Sequence, residues 1–386
     1  MTTLRTLHRA IFLISLPFGI LSFVLPIYGK EIGADAIQIG LFFSVFSLMT
    51  VLLRPIVGAA LDRYGRRPFF IAGLAGYAAT MFAFAFSDRI WNIVLARTVQ
   101  GIASALLWLA ARAITADVSG ADDRGRSFGS IDQSSSQGAI LGTLIGFGVL
   151  TSLDIDGGWQ PLFIGYGAVS LLAAIQAFGR LPETNPATAH QERRPIVWSR
   201  PWILLLAVTA VTGASWAMVS PILMIFLQEN LKVNIADLGI AYLPAALIWA
   251  MLPTKLGALA DRFGRKPLMV LGLIVAAGSS FVIPGLRSLG GLTVLWALQA
   301  LCYAAGDPAE QALVADLTGG DQRGRAYGLY TLAAGLGAAI GPLLGGWLYE
   351  AIGPHAPFFA NGIVLGVCAV VLWTLLEIPT RKALDP

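Results

Sequence analysis

The stretch GAALDRYGRRP at residues 58–68 returns as GALADRFGRKP at 257–267, with seven of eleven positions identical and an offset of 199 residues. ADVSGADDRGRSFG at 116–129 returns at that same offset as ADLTGGDQRGRAYG at 315–328, with eight of fourteen identical. Gly138, Gly142 and Gly146 fall on Gly337, Gly341 and Gly345 in the same register. Three separated blocks sharing one register mark an internal duplication, so the fold must consist of two similar halves.

Composition says what kind of halves these are. Of 386 residues, 56% are hydrophobic and only 12% charged, with a mean hydropathy of +0.73. Soluble chains carry about 25% charged residues, so an ordinary soluble enzyme is excluded. Disorder needs the opposite composition. Forty-three glycines without a three-residue period and only two cysteines exclude collagen-like and disulfide scaffolds. A polytopic membrane protein remains. In hydrocarbon the backbone must bond to itself, which leaves helices or closed barrels. Barrel strands alternate in polarity over about ten residues. This chain instead carries long apolar runs such as GIVLGVCAVVLWTLL at 362–376, approaching the roughly 20 residues of a spanning helix.

The sequence therefore predicts an all-α polytopic membrane protein with twelve spans, at about 9–28, 37–57, 68–87, 91–112, 128–150, 160–179, 202–227, 236–256, 267–286, 291–313, 327–349 and 357–377. Arg5, His8 and Arg9 precede the first span as in a signal peptide, but no small-residue cleavage site follows, so it is read as a retained helix. The duplication divides the chain into a six-helix bundle at 1–180, a polar linker at 181–200 and a second bundle at 201–386. Six is even, so both halves enter from the same side. With both termini in the cytoplasm, only Lys30, Arg89, Lys232 and Arg287 of the 26 Lys and Arg lie outside, and Arg97 lies within a span. The positive-inside rule then places the chain in a cell (inner) membrane with both termini cytoplasmic. The bilayer is its partner; nucleic acid is not, because the basic residues are dispersed through short loops.

Chemistry-bearing clusters are scarce. His8, His190 and His355 are scattered without metal-ligand spacing. Cys302 and Cys368 fall inside spans and read as core residues. The hydrolase-like pattern Gly125-Arg-Ser127-Phe-Gly129 lacks a preceding strand, and its repeat carries Ala326 at the serine position. No G-x-x-x-x-G-K-[ST] is present, so nucleotide-driven pumping by this chain is not expected. The reading is not an enzyme and needs no cofactor.

The loops Gly58-x-x-x-Asp62-Arg63-x-Gly65-Arg66-Arg67 and Gly257-x-x-x-Asp261-Arg262-x-Gly264-Arg265-Lys266, each between the second and third span of its half, resemble the signature of the major facilitator superfamily. The resemblance covers essentially the whole chain and is strongest to the bacterial twelve-helix proton-coupled drug and sugar efflux permeases. It implies two bundles that rock about a central site by alternating access. It also implies that these loops form a cytoplasmic latch of the outward-facing state. Gly58 and Gly257 would permit close helix approach. Asp62 and Asp261 would accept from exposed N–H groups at a helix N-terminus. Arg66 and Arg265 would reach Asp117 and Asp316, at the cytoplasmic ends of spans 4 and 10.

Other candidates lie deeper. Arg97 is the one cation inside a span, which costs at least about 2.5–3.5 kcal/mol and requires a cavity or a partner. LARTVQG at 95–101 resembles the family's fourth-helix motif, whose arginine is linked to proton coupling; the second half has Trp296 there. Span 5 opens with Asp132-Gln133-Ser134-Ser135-Ser136-Gln137, which cannot face lipid and is expected to be protein-buried or to line water. Span 10 adds Asp307 and Glu310. A carboxylate out of water is unfavourable and accepting a proton relieves it, so Asp132, Asp307 and Glu310 are candidates for proton coupling or the substrate cavity. Arg112 and Glu310 are read as a gate pair across the halves. The glycine series at 138/142/146 and 337/341/345 suits close helix packing. Family efflux members carry Gly-Pro in span 5; here Thr143 follows Gly142, and Gly341-Pro342 stands in span 11. The leading reading is proton-driven export of a small amphipathic molecule. Proton-coupled uptake of a metabolite, and a transporter-like sensor, are the alternatives.

Overall fold

A computed structural model describes residues 2–119, 124–184, 198–252, 256, 263–318 and 323–376. Among these, every regular element is a helix. Helices α1 (Thr2–Glu31), α2 (Ala36–Tyr64), α3 (Arg67–Ala85) and α4 (Ile90–Val118) come first. The helical stretch Arg124–Arg180 follows, interrupted at Asp154 by φ 56° and ψ 177°; its arms 124–153 and 155–180 are α5 and α6. Then come α7 (Arg200–Leu231), α8 (Ile235–Met251), α9 (Arg265–Val282), a 3₁₀ turn (Ile283–Gly285), α10 (Leu289–Thr318), α11 (Arg323–Ala351) and α12 (Ala356–Leu375). Ten described stretches are long and apolar enough to cross a bilayer, one of them containing both α5 and α6, and α8 holds a shorter apolar run at Ile235–Trp249. The spacer expected at 151–159 is thus helical except at Asp154. Its φ and ψ lie outside the left-handed helical region, in a conformation that residues other than glycine rarely adopt.

Local chemistry sets where helices begin. Asp35 accepts from the Gln38 backbone N–H at 2.7 Å, and the Gln38 side chain accepts from the Asp35 N–H at 3.0 Å, so α2 opens on a capping box. Ser199 accepts from the Trp202 N–H at 3.3 Å, with Pro201 in the first turn of α7.

The chain divides into two compact units: Met1–His190 with Ser220–Gln228 and Asn234–Ala236, and Gln191–Val219 with Glu229–Val233 and Asp237–Pro386. In the first, α1 lies against α5 along the glycine series. A Cβ at Gly138 would strike the Phe12 carbonyl oxygen, and one at Gly142 the Leu16 carbonyl oxygen. Polar contacts flank this seam: Ser15 and Ser135 hydroxyls at 2.9 Å, and Ser130 with His8 Nε2 at 2.9 Å. Gly73 packs on the Leu107 backbone of α4 and Gly101 on the Phe46 carbonyl of α2. Tyr28 stacks on Trp159 with ring centroids 3.7 Å apart, and Trp159 Nε1 donates to the Phe84 carbonyl at 2.6 Å.

The second unit repeats the device. Gly337, Gly341 and Gly345 of α11 bear on the carbonyl oxygens of Ala210, Ala214 and Met218 of α7. A buried polar tie then joins three helices. Ser215 donates to Asn361 Oδ1 at 2.5 Å, and Asn361 Nδ2 donates to Ser280 Oγ at 2.7 Å.

Alanine scanning should separate seam glycines from the rest. Gly142→Ala and Gly341→Ala are expected to destabilise the protein by about 1–3 kcal/mol or to block folding. Gly148→Ala and Gly165→Ala, where nothing lies within 4 Å, should leave thermal unfolding in detergent unchanged. Equal effects at all four positions would contradict the seam.

Candidate functional site

The site is built from the loop between α2 and α3 upward. Gly65 ends α2 with φ 92°, and its repeat mate Gly264 precedes α9 with φ 89°. That region is open to glycine and strained for other residues, so the duplicated Gly-Arg step is a backbone requirement. Gly65 meets a second demand: a Cβ there would strike the Glu183 carboxylate. At Gly58, by contrast, nothing lies within 4 Å. Among the described residues the crowded glycine of this loop is Gly65, where the chain turns tightly.

Arg66 and Asp117 come together as the sequence proposed. Arg66 Nε lies 3.2 Å from Asp117 Oδ2, with the two side chains only 12% and 13% exposed. Arg66 also lies 3.4 Å from Asp62, one turn back, and donates to the Leu61 carbonyl at 2.8 Å. The N–H groups that open α3 go to another residue. Glu183 Oε1 accepts from the Arg66 backbone at 2.8 Å, and Oε2 from the Arg67 backbone at 3.1 Å. Arg63 is exposed, its guanidinium 5.2 Å from the Tyr64 ring. Gly257, Asp261 and Arg262 lie outside the described residues, as do the side chains of Asp307 and Asp316, whose backbones run within α10. Arg265 opens α9.

Arg67 and Lys266 occupy one register position and do one job. Arg67 Nη2 donates to the Phe178 carbonyl at 2.6 Å, near the end of α6, with the guanidinium 5.3 Å from the Phe178 ring. Lys266 Nζ donates to the Leu376 carbonyl at 2.7 Å, just past α12, and lies 5.6 Å from the Trp373 ring. A cation at a helix C-terminus is favoured by the macrodipole.

Arg97 is 6% exposed and pairs with no carboxylate among the described residues. Its Nε donates to the Phe42 carbonyl of α2 at 2.9 Å and its Nη1 to Gln100 Oε1 at 2.7 Å. The guanidinium also sits 4.4 Å from the Phe46 ring and 5.0 Å from the Phe43 ring. Cation–π attraction and a helix carbonyl thus replace a counter-ion.

Arg112 lies 3.6 Å from Asp132, both side chains 58% exposed. The polar opening of α5 is split: Ser134 and Ser135 are partly buried, the latter on α1, while Asp132, Gln133, Ser136 and Gln137 are exposed. Glu310 accepts from the Thr209 hydroxyl at 3.1 Å. It helps line a cavity of about 50 Å³ inside the second unit, with Leu205, Thr212, Met269, Tyr303 and Leu372 among the walls. Sequence reasoning missed Glu183 and Asn361. Asn361 was visible as the lone amide in an apolar run; Glu183 had no local signal.

A family model described as Major Facilitator Superfamily matches residues 9–256 and 205–386. The chain belongs to the major facilitator superfamily. It is 23% identical over 380 residues to "Multidrug resistance protein 1" of Bacillus subtilis (strain 168), covering 96% of each chain. It is 27% identical over 365 residues to the "Synaptic vesicular amine transporter" of Mus musculus, covering 92% of this chain and 70% of the relative. Its fold is similar to the crystal structure of a bacterial homolog to the human lysosomal transporter Spinster, in an inward-facing and occupied conformation. That likeness has a TM-score of 0.79 at 17% identity and covers 96% of this chain and 95% of the other. This superfamily member is a multi-pass membrane transporter, not an enzyme.

Shielding ranks the two ion pairs. Asp117→Asn should lower stability by about 1–3 kcal/mol, because it removes the shielded one of a largely buried arginine's two carboxylate partners. Asp132→Asn, at a solvent-open pair, should cost under about 1 kcal/mol. Thermal unfolding of both variants checks this, and a larger loss at Asp132 would contradict it.

Proposed function

We propose that this transporter exports a small amphipathic molecule in exchange for protons, by alternating access of the bundles 1–180 and 201–386 joined by the linker 181–200. One observation carries the reading. Glu310 holds an ionisable carboxyl beside an apolar cavity, with Thr209 as hydrogen-bond donor, in a chain without a nucleotide-binding loop. A carboxyl so placed gains or loses a proton at a price in solvation that substrate binding can offset. Similarity to proteins named for multidrug resistance and for amine transport supports a small organic substrate.

Asp132, Asp307 and Arg97 are the further proton-coupling or cavity residues of this proposal. Arg66–Asp117 and the loops at 58–68 and 257–267, with Asp62, Arg63, Asp261, Arg262, Arg265 and Asp316, form the latch. The pair of Arg112 with Glu310 is proposed for the cytoplasm-closed state, in which each would leave its present partner. The bias of Lys and Arg supports a cell (inner) membrane with both termini cytoplasmic. Proton-coupled uptake is the second reading, favoured by Thr143 standing after Gly142 where efflux relatives carry proline.

Flux in proteoliposomes under an imposed pH gradient, across a compound panel, tests this. Wild type should move substrate against its gradient toward the acidic side. Glu310→Gln is expected to lose gradient-driven flux at least ten-fold; Asp132→Asn and Asp307→Asn should weaken it if they share the proton. Arg97→Met should fold and also lose coupled flux at least ten-fold. Flux indifferent to the gradient removes proton coupling, and accumulation in the opposite sense reverses the direction.

A further inference from the structure

We infer that Glu183, the third residue after α6, is a positioning residue of the latch, so that residues 181–184 belong to the gate. The inference rests on the latch reading above. Its geometry is reciprocal. Arg67 reaches from the start of α3 to the end of α6, donating to the Phe178 carbonyl at 2.6 Å. Glu183 reaches back from beyond α6 to the start of α3, its two oxygens accepting the Arg66 and Arg67 N–H groups at 2.8 and 3.1 Å. Each helix end receives the charge that its dipole favours.

The neighbouring residue extends the grip. Thr184 Oγ1 donates to Asp117 Oδ2 at 3.0 Å, the same oxygen that faces Arg66 Nε at 3.2 Å. The linker's first residues therefore touch both sides of the Arg66–Asp117 pair: Glu183 holds the arginine's backbone and Thr184 holds the aspartate's side chain. Gly65 supplies independent support. Its missing Cβ is the space that the Glu183 carboxylate occupies. A glycine there serves the turn and also admits the clamp. When residues 181–184 move, the Arg66 and Arg67 backbones must move or each lose its Glu183 acceptor, and Asp117 loses a donor in the same step. Displacement of residues 181–184 is thus delivered to the ion pair.

The test uses the full chain with Cys302→Ser and Cys368→Ala, carrying Ser136→Cys as reporter, in inside-out vesicles and proteoliposomes. A membrane-impermeant maleimide reports exposure of the α5 stripe. Glu183→Ala is expected to raise the labelling rate at least three-fold. It should also lower maximal flux per folded molecule at least five-fold, with KM within two-fold. Glu183→Asp should recover at least half of both effects. Glu183→Gln, which keeps the shape and removes the charge, should fall between and serves if the alanine variant fails to fold. Wild-type labelling and flux per folded molecule in Glu183→Ala would overturn the inference; so would a loss confined to folded yield, or no recovery in Glu183→Asp. If the parent protein moves no compound, the transport reading fails, and the labelling ratios still decide whether Glu183 sets the latch.

Discussion

A carbonyl oxygen of one helix resting on a glycine of the next is the contact on which both units are organised. Lipid tails are as apolar as leucine, so helices in a bilayer are not driven together by exclusion of water. They associate where backbones approach closely enough for dispersion and weak polar contact to add up. Gly142 on Leu16 and Gly341 on Ala214 make such approaches at equivalent places in the duplication. Once α1 lies that close to α5, short side chains reach across: Ser15 meets Ser135, and His8 meets Ser130. In the second unit a buried polar tie runs instead outside the α7–α11 seam, from Ser215 of α7 through Asn361 of α12 to Ser280 of α9. The α1–α5 ties follow from the glycine seam, since such short side chains do not meet between helices spaced by leucine.

The loops that carry the duplicated motif obey the same steric logic with charge added. A chain leaving one helix and entering the next within two residues needs a positive φ, and Gly65 and Gly264 supply it. The tight turn leaves the N–H groups of the following helix pointing at solvent, and the macrodipole makes that end attractive to a carboxylate. At the first loop Glu183 answers. The final basic residue of each motif, Arg67 or Lys266, answers the complementary need at the carbonyl end of α6 or α12. The signature is thus readable as a tight turn plus two helix-end charges, with the Arg66–Asp117 pair built on top.

Much of this was legible in the residues. The duplication, the helical class and the glycine seams follow from an offset, a composition and a spacing, all of which survive without knowledge of the fold. The pairing of Arg66 with Asp117 was legible because the repeat placed both at span ends. What escaped was set by contacts distant in sequence. Nothing near Arg97 announces that a carbonyl 55 residues away will be its acceptor, because every helix residue carries a carbonyl and only packing selects one. Glu183 sits 117 residues from the N–H it accepts, in a polar stretch that reads as linker. The crowding at Gly65 was hidden for a related reason: spacing identifies a glycine but not the side chain, here Glu183, that will be packed against it. Asp154 was read into a loop because polar residues surround it, yet helical backbone bonding continues on both sides.

The two halves share their backbone devices and differ in their buried polar chemistry, and that division carries information about function. Positive-φ glycines, glycine seams and helix-end cations occur in both copies, as expected of features needed to fold either half. Arg97 has Trp296 as its mate, Glu310 has Ala111, and the polar opening of α5 has Thr-Leu-Ala-Ala-Gly-Leu at 331–336. A buried charge is not required by the architecture, since its mate position folds without one, and it carries a penalty in the membrane. Arg97 on α4 and Glu310 on α10, each with neutral hydrogen-bond partners and neither with an opposite charge among the contacts described, therefore support the coupling role proposed for them. A fully paired buried charge would be locked in place. Groups held by a carbonyl, an amide or a hydroxyl can change state without breaking an ion pair, which is the property a coupled transporter needs at its moving centre.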